Sequence, residues 1–483
     1  MTVKQTITAL AGSIIGVFLF TMIGCDDPAP PTPGGGDTMG LGANWMSYGR
    51  DRDNSRHATD GLINSGNVRD LRIKFDLTSG GSTSNAVVED GIIYWTDYNG
   101  QVHATREDGS EVWRTQIPVE ITASVTIDGN RLFFGDSTGV LHCLDKRNGA
   151  VIWTTELDSH PHAYIWGSPS VIDGIVIIGV GADGTRSRGD ALPWSVLEGL
   201  QGSVHGVDAA TGKKIWRWTP NVGPYGRKFS DGNAVWSTCA IDPELGVCYI
   251  GTGNAWQQPP SPYTDALVAL EVHTGALKWA RSYTPDDVWR SGDCDFCQKD
   301  SDVGAAPNLF AIDGRPVVGV PDKAGNYTVH DRVTGEIIWQ RKNIRSPTVL
   351  GGFISSAAYA DGKLFLAGNN LIFSSRMYAL DARTGRTLWD VENGGTFTIA
   401  APAVSGNVVF SGDANGEIKA YDVSNGNVLW TSQLPEGRGS DFTISGGMMI
   451  VGTGFHFFDS TAPLGVPKAF PIPGGLRAYA LPR

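Results

Sequence analysis

From Leu41 onward, apolar and polar residues alternate in short runs that are interrupted at regular intervals by turn signals. Alternation of this kind marks strands with one buried face, and Gly, Asp or Asn between two such runs marks a hairpin. One compound pattern dominates: a strand ending near an aspartate, a turn carrying glycine, and a second strand ending in tryptophan. It recurs seven times, as GQVHATREDGSEVW ending at Trp113, GVLHCLDKRNGAVIW at Trp153, GSVHGVDAATGKKIW at Trp216, DALVALEVHTGALKW at Trp279, GNYTVHDRVTGEIIW at Trp339, SRMYALDARTGRTLW at Trp389 and GEIKAYDVSNGNVLW at Trp430. The D-x-x-T/N-G turn suits a hairpin because glycine or asparagine accepts positive φ there. Between copies lie two further strands, as in AVVEDGIIYWTD around Asp90-Gly91 and PAVSGNVVFSGD around Ser405-Gly406. Four antiparallel strands per repeat make one blade of a propeller.

The chain ends imply an eighth blade. GGLRAYALPR at the C-terminus reads as the first half of a repeat whose second half is missing, and NVRDLRIKFDL near the N-terminus reads as that half. Pairing them closes the ring and removes two exposed sheet edges. The fold expected is therefore all-β, an eight-bladed propeller over residues 41–483 whose last blade is closed by N- and C-terminal strands. The repeated tryptophans are expected to pack blade against blade, and His103, His142 and His205, which share one strand slot, to be architectural. Successive tryptophans lie about 40 to 63 residues apart, so the longer intervals carry inserted loops, where sites usually sit.

Composition supports a large core, with 41% apolar and 18% charged residues. The formal net charge of −12 and the lack of a long basic run argue against nucleic acid as a partner. Ahead of the repeats, Lys4 precedes an apolar stretch from Ile7 to Phe20, the length of a signal-peptide core and short for a membrane span. Met22-Ile23-Gly24-Cys25 then resembles a bacterial lipobox, with Met22 where leucine is usual. Residues 1–25 are read as a lipoprotein-type signal peptide with Cys25 as the acylated residue, the alternative being secretion with Cys25 lost or unmodified. Residues 26–40, rich in Pro and Gly, are read as a tether. The implied location is the bacterial cell envelope, a periplasmic lipoprotein held to a membrane by its lipid alone.

The A-x-D-x-x-T-G-x-x-x-W core of the repeat resembles the tryptophan-docking motif of the eight-bladed, pyrroloquinoline-quinone (PQQ) dependent alcohol dehydrogenases. The likeness spans nearly all of residues 41–483 and is closest to the polyvinyl-alcohol-dehydrogenase-like branch. It implies PQQ and Ca²⁺ as cofactors, a small-molecule or polymeric alcohol as substrate, and an external electron acceptor, a cytochrome or a quinone. AVWSTCAIDPELGVCYIGTGN, residues 234–254, matches the family's stretch in which a tryptophan stacks on the quinone and an asparagine ligates calcium, slots held here by Trp236 and Asn254. VPDKAGNYTVHDRVTGE, residues 320–336, resembles the segment whose basic residue contacts the reactive carbonyl, here Lys323. The chemistry wants such groups: an indole for a planar cofactor, an amide oxygen for a hard cation, and a cation beside an oxygen that gains negative charge.

Elsewhere the match departs from the family. The carboxylate ligand should follow VIDGIVIIGVG, where Asp183 and, beyond an inserted loop, Glu198 are the candidates. The catalytic aspartate should follow the tryptophan of TPDDVW, but Arg290 stands there, and a guanidinium cannot act as a base. Asp287, Asp293 and Asp295 are the neighbouring alternatives, of which Asp293 and Asp295 are taken as the candidate bases. The slot for a threonine that contacts a cofactor carboxylate holds Trp166. Cys239 and Cys248 flank a tight turn and are expected to form a disulfide; Cys294 and Cys297 are expected to form another, with a redox role as the alternative. No C-x-x-C-H occurs, so no c-type haem is expected. The rival reading is a non-catalytic propeller lipoprotein, resembling the outer-membrane assembly lipoproteins, that serves as a binding or assembly scaffold. The N-terminal reading has its own test: Cys25→Ser should move the protein from the membrane to the soluble envelope fraction, and identical fractionation of both forms would refute the anchor.

Overall fold

A computed structural model describes residues 44–182, 197–289, 300–342, 351–371, 374–435, 437–454 and 473–482. The signal peptide, lipobox Cys25 and tether lie outside these residues, as do Asp183, Arg290, Asp293, Cys294, Asp295 and Cys297.

The described chain forms eight antiparallel sheets, each with a four-strand core. In chain order, blade 1 comprises Val87–Glu89, Ile92–Thr96, Gln101–Arg106 and Glu111–Gln116. Blades 2 and 3 occupy residues 126–156 and 170–218. Blade 4 comprises Ala240–Asp242, Val247–Gly251, Ala266–Glu271 and Leu277–Ser282, and blade 5 Asn308–Ile312, Arg315–Pro321, Asn326–Asp331 and Ile337–Lys342. Blades 6 and 7 span 358–394 and 403–433. Blade 8 takes three strands from the C-terminal end, Arg438–Ser445, Met448–Thr453 and Pro473–Ala480, and its fourth, Arg72–Gly80, from the N-terminal end. The closing register pairs Ile73 with Tyr479 and Leu77 with Leu476, which joins the two half-repeats expected from the sequence.

The repeat pattern folds this way because one glycine performs two tasks. In the turn after the third strand of blades 2 to 7, Gly149, Gly212, Gly275, Gly335, Gly385 and Gly426 all have positive φ, which L side chains resist. Each also faces the tryptophan of the preceding blade, so closely that a Cβ on Gly335 would lie 2.6 Å from Trp279. The indole then donates its Nε1–H to a main-chain oxygen of the same turn: Trp113 to Lys146 at 2.9 Å, Trp216 to Val272 at 2.8 Å and Trp279 to Arg332 at 3.0 Å. Trp430 precedes the composite blade 8, which has no such turn, and instead meets Tyr479 edge-on at 5.3 Å. The shared histidines are architectural as well. His103 and His142 hydrogen-bond to Asp97 and Asp136 of their own blades and stack on Trp95 and Phe134.

Two polar devices hold the first strands, which touch one another around the ring. The first is a belt of side chains at their entrances. Asp441 N–H donates to Asn85 Oδ1, Asn85 N–H to Ser124 Oγ, Ser124 N–H to Ser168 Oγ and Ser168 N–H to Thr238 Oγ1, each step passing to the next blade. Ala306 N–H to Ser356 Oγ and Ala401 N–H to Asp441 Oδ1 continue it. The second is the segment 45–58, which reads along the sequence as a polar loop. Its main-chain oxygens accept N–H bonds from Val88, Ile127, Ile241, Leu309, Tyr359 and Val404, first-strand residues of blades 1, 2, 4, 5, 6 and 7. Arg52 Nε reaches the Val171 oxygen of blade 3, and Arg56 lies 3.0 Å from Asp441 of blade 8. Buried N–H and C=O groups must be paired, and a segment that is itself backbone can supply every blade in turn.

Gly335→Ala combines left-handed strain with a clash against Trp279, so it should destabilise the fold by about 2 to 4 kcal/mol in urea unfolding. Gly129→Ala has positive φ but nothing within 4 Å of the new Cβ, and should cost only about 1 to 2 kcal/mol. Equal losses in the two variants would refute the docking role of the turn glycine.

Candidate active site

Three of the predicted site residues, Trp236, Asn254 and Lys323, sit where blades 4 and 5 meet. Trp236 lies in the segment entering blade 4, Asn254 three residues beyond its second strand, and Lys323 two residues beyond the second strand of blade 5. What joins them is the segment from Asp300 to Gly304, which leads into blade 5 and belongs to none of the motifs singled out in the sequence. Asp302 Oδ1 accepts the Asn254 main-chain N–H at 2.8 Å, and its Oδ2 lies 3.2 Å from Lys323 Nζ. Lys323 Nζ is also bonded to Asp300 Oδ2. The half-buried Trp236 indole packs on Gly304, where any Cβ would fall inside the ring. Ser237 Oγ donates to the Ala305 oxygen at 3.0 Å and ties the two segments together.

Electrostatics distinguish these groups. Burial holds the proton on Asp300, pushing its carboxyl up to about 8 although the Lys323 ammonium pulls the other way. Burial also disfavours the charge on Lys323, but Asp300 and Asp302 outweigh it and hold the ammonium above the ordinary lysine value. Asn254 commits its Nδ2 to the main-chain oxygens of Ala255 and Trp289, at 2.8 and 2.5 Å. That orientation leaves its Oδ1 for an incoming cation. Asp300 Oδ1 and Ser301 Oγ are buried without a protein partner. A half-buried indole, a free amide oxygen and orphaned buried oxygens fit a planar quinone and a hard cation, since such oxygens need a partner that the protein alone does not provide.

Not every expected residue joins this group. Glu198 is exposed, its main-chain oxygen meets His160 Nε2, and among the described residues it forms no hydrogen bond or ion pair with Asn254, Asp302 or Lys323. Trp166 stacks on Tyr164 at 4.2 Å and donates to the Ala182 oxygen. Asp287 is buried and accepts the Ser301 N–H at 2.9 Å, so it faces the loop carrying Asp300 and Asp302 from behind. The missed aspartates had a signal: counting back from the strand NLFAIDG, instead of forward from TPDDVW, reaches D-S-D at 300–302.

The expected Cys239–Cys248 disulfide is corrected. Both thiols are free and buried: the register sets Cys248 directly across from Ile241, and Cys239 lies two residues before Ile241, so the two cysteines are diagonal neighbours and not a facing pair. A hydrogen bond to Cys239, reinforced by burial, raises the Cys248 thiol well above its ordinary value.

Residues 158–351 match the family described as glucose/ethanol/alcohol dehydrogenase, β-propeller domain, which takes in Trp236, Asn254, Asp300, Asp302 and Lys323. The chain is a β-propeller similar in sequence to the quinoprotein alcohol dehydrogenases. It is 26% identical to a polyvinylalcohol dehydrogenase of Sphingopyxis sp. (strain 113P3), over 88% of this chain and 74% of the relative. The propeller superposes on the quinohemoprotein alcohol dehydrogenase ADHIIG of Pseudomonas putida HK5 with a TM-score of 0.74 and 22% identity, covering 91% of this chain and 80% of the other. Residues 373–459 match the family described as outer membrane protein assembly factor BamB. The BamB structure from Moraxella catarrhalis superposes with a TM-score of 0.57 and 15% identity, over 85% of this chain and 99% of that one. The two structural likenesses concern the fold.

Free, buried thiols have a chemical signature. Cys143, whose thiol burial pushes up to about 12, together with Cys239 and Cys248, should resist alkylation in the native protein and react after unfolding without reductant. A Cys239–Cys248 bridge in a non-reduced digest would overturn this assignment.

Proposed function

We propose that this propeller oxidises an alcohol with PQQ and Ca²⁺ bound between blades 4 and 5. The observation that carries the reading is the pair of Asp300 and Lys323, a buried acid–base group and a buried cation side by side, in a chain whose relatives include alcohol dehydrogenases. The bound quinone would accept hydride from the alcohol carbon. Asp300, once deprotonated, takes the hydroxyl proton, which leaves the carbonyl product. Lys323 keeps its positive charge and stabilises the oxygen that becomes negative. Trp236 supplies the stacking face, and Asn254 Oδ1 one ligand for the cation. Primary and secondary alcohols, polymeric ones included, are the substrate class, and an external cytochrome or quinone takes the electrons. The lipobox-like Met22 to Cys25 supports a lipid-anchored place in the bacterial envelope.

The assembly-scaffold reading draws on the match at residues 373–459, which covers parts of blades 6 to 8 and none of the groups just named. Binding experiments separate the two. Titration calorimetry should show PQQ binding that depends on Ca²⁺ and is weakened at least tenfold by Asn254→Ala, about 1.4 kcal/mol. No heat and no spectral change with either addition would sink the enzyme and leave the scaffold.

The pH profile tests the base. Asp300 works only without its proton, so kcat/KM with a dye acceptor should rise as pH increases toward about 8 and level off above it. Asp300→Asn should lose about 10² to 10⁴ of the rate while still binding PQQ. A profile flat from pH 5 to pH 9, roughly two units either side of neutrality, would remove Asp300 from the role.

A further inference from the structure

Behind the Asp300–Asp302 loop lies a second carboxylate, Asp265, at the start of the third strand of blade 4. It is fully buried, and neither of its side-chain oxygens has an N–H or O–H donor. Its backbone is also unusual. Asp90, Asp173, Asp313 and Asp361 take positive φ in Asp-Gly turns, whereas Asp265 does so, at +45°, ahead of Ala266. The main chain holds it there, with its N–H on the Gly253 oxygen and its oxygen accepting the Tyr283 N–H. The charged groups facing it among the described residues are Asp287, Asp300 and Asp302, with Lys323 beyond them. Asp287 accepts the Ser301 N–H, and Asp300 and Asp302 pair with Lys323, so of these four carboxylates Asp265 alone has neither a donor nor a cation on its oxygens, and a buried carboxylate so placed keeps its proton.

We propose that Asp265 holds one of these protons and donates it in a hydrogen bond to Asp287, and that this carboxyl pair positions the Asp300–Asp302 loop against Lys323. A buried aspartate with no donor is costly as an anion and satisfied as an acid once a carboxylate acceptor adjoins it. Burial, and then the neighbouring carboxylates, favour the proton on Asp265 over Asp287. Asp287, freed to act as the acceptor, takes the N–H of Ser301 at 2.9 Å with its Oδ2. Ser301 stands between Asp300 and Asp302, so one bond sets the direction of both side chains. The same bond joins the chain on the two sides of residues 290–299. Asp265 and Asp287 are thus positioning residues, acting through Asp300; this deepens the dehydrogenase reading, on which only its kinetic part rests.

Two measurements need no turnover. The infrared spectrum of the full-length protein at neutral pH should contain C=O stretches of protonated, buried carboxylic acids, that of Asp265 beside that of Asp300, and Asp265→Asn should remove one of them. Hydrogen exchange at Ser301 should be slow in the wild type, fast in Asp287→Ala, and slow again in Asp287→Asn, whose amide oxygen still accepts the N–H. With PQQ, Ca²⁺ and a primary alcohol, Asp265→Asn should keep kcat within about twofold, because its amide donates to Asp287 as the acid does. Asp287→Ala should lower kcat about a hundredfold, the effect of a misplaced reacting group, with PQQ affinity unchanged. The proposal is overturned if no infrared band is lost in Asp265→Asn, if Ser301 exchange ignores Asp287, or if Asp265→Asn loses as much kcat as Asp287→Ala. Wild-type protein that binds no PQQ and oxidises no alcohol would refute the dehydrogenase reading, while infrared and exchange would still decide the carboxyl pair.

Discussion

The ring depends on an indole entering the space left by a missing side chain. Each docked tryptophan fills the volume over a turn glycine of the next blade and hydrogen-bonds to the main chain of that turn. The contact is directional in both shape and polarity, so it sets the angle between blades as well as their distance, whereas apolar packing alone would tolerate sliding. Glycine is required twice at each of these turns, for its φ and for its bareness. That double demand explains why so short a motif survives in a recognisable form around the ring while the loops between blades vary in length.

Docking organises the periphery, and the belt and the segment 45–58 organise the centre. Between them they supply polar partners to first strands that would otherwise turn unpaired groups toward the axis. The consequence reaches the candidate site. Ala306 N–H, in the belt, lies two residues beyond the Gly304 that supports Trp236, and Asn54 Nδ2 holds the Pro307 oxygen next to it. The floor under the indole is thereby fixed from the axis, while Asp302 and Lys323 approach from the ends of blade 5.

What could be read from the chain alone follows the distinction between periodic and singular features. Trp113 to Trp430, the hairpin turns and the complementary half-repeats at the two ends repeat a pattern, so they announced eight blades and their closure. Trp236, Asn254 and Lys323 are visible through family resemblance, and the structure gathers them around the segment from Asp300 to Gly304. Asp300 is not, because the family pattern, read forward from Trp289, meets Arg290 and turns to the neighbouring Asp293 and Asp295. The segment 45–58 escaped for another reason: its partners are main-chain groups spread over the whole ring, which leave no trace in side-chain alternation. Cys239 and Cys248 were paired by proximity in sequence, but strand register, which offsets them, decides such matters.

The composite eighth blade also shapes how this protein comes into being. Arg477 and Asp76, bonded across its closing strands, are 401 residues apart in the chain. Closing a long loop adds little to the equilibrium cost, about 0.6 kcal/mol for each doubling of its length. The kinetic burden is of a different order, since contacts so distant form only after nearly everything between them has been made and arranged. Until then the nascent arc carries two bare strand edges, each a template for a neighbouring molecule. The finished ring has no free end to unzip, but its assembly passes through an interval in which it is prone to stick to its own kind.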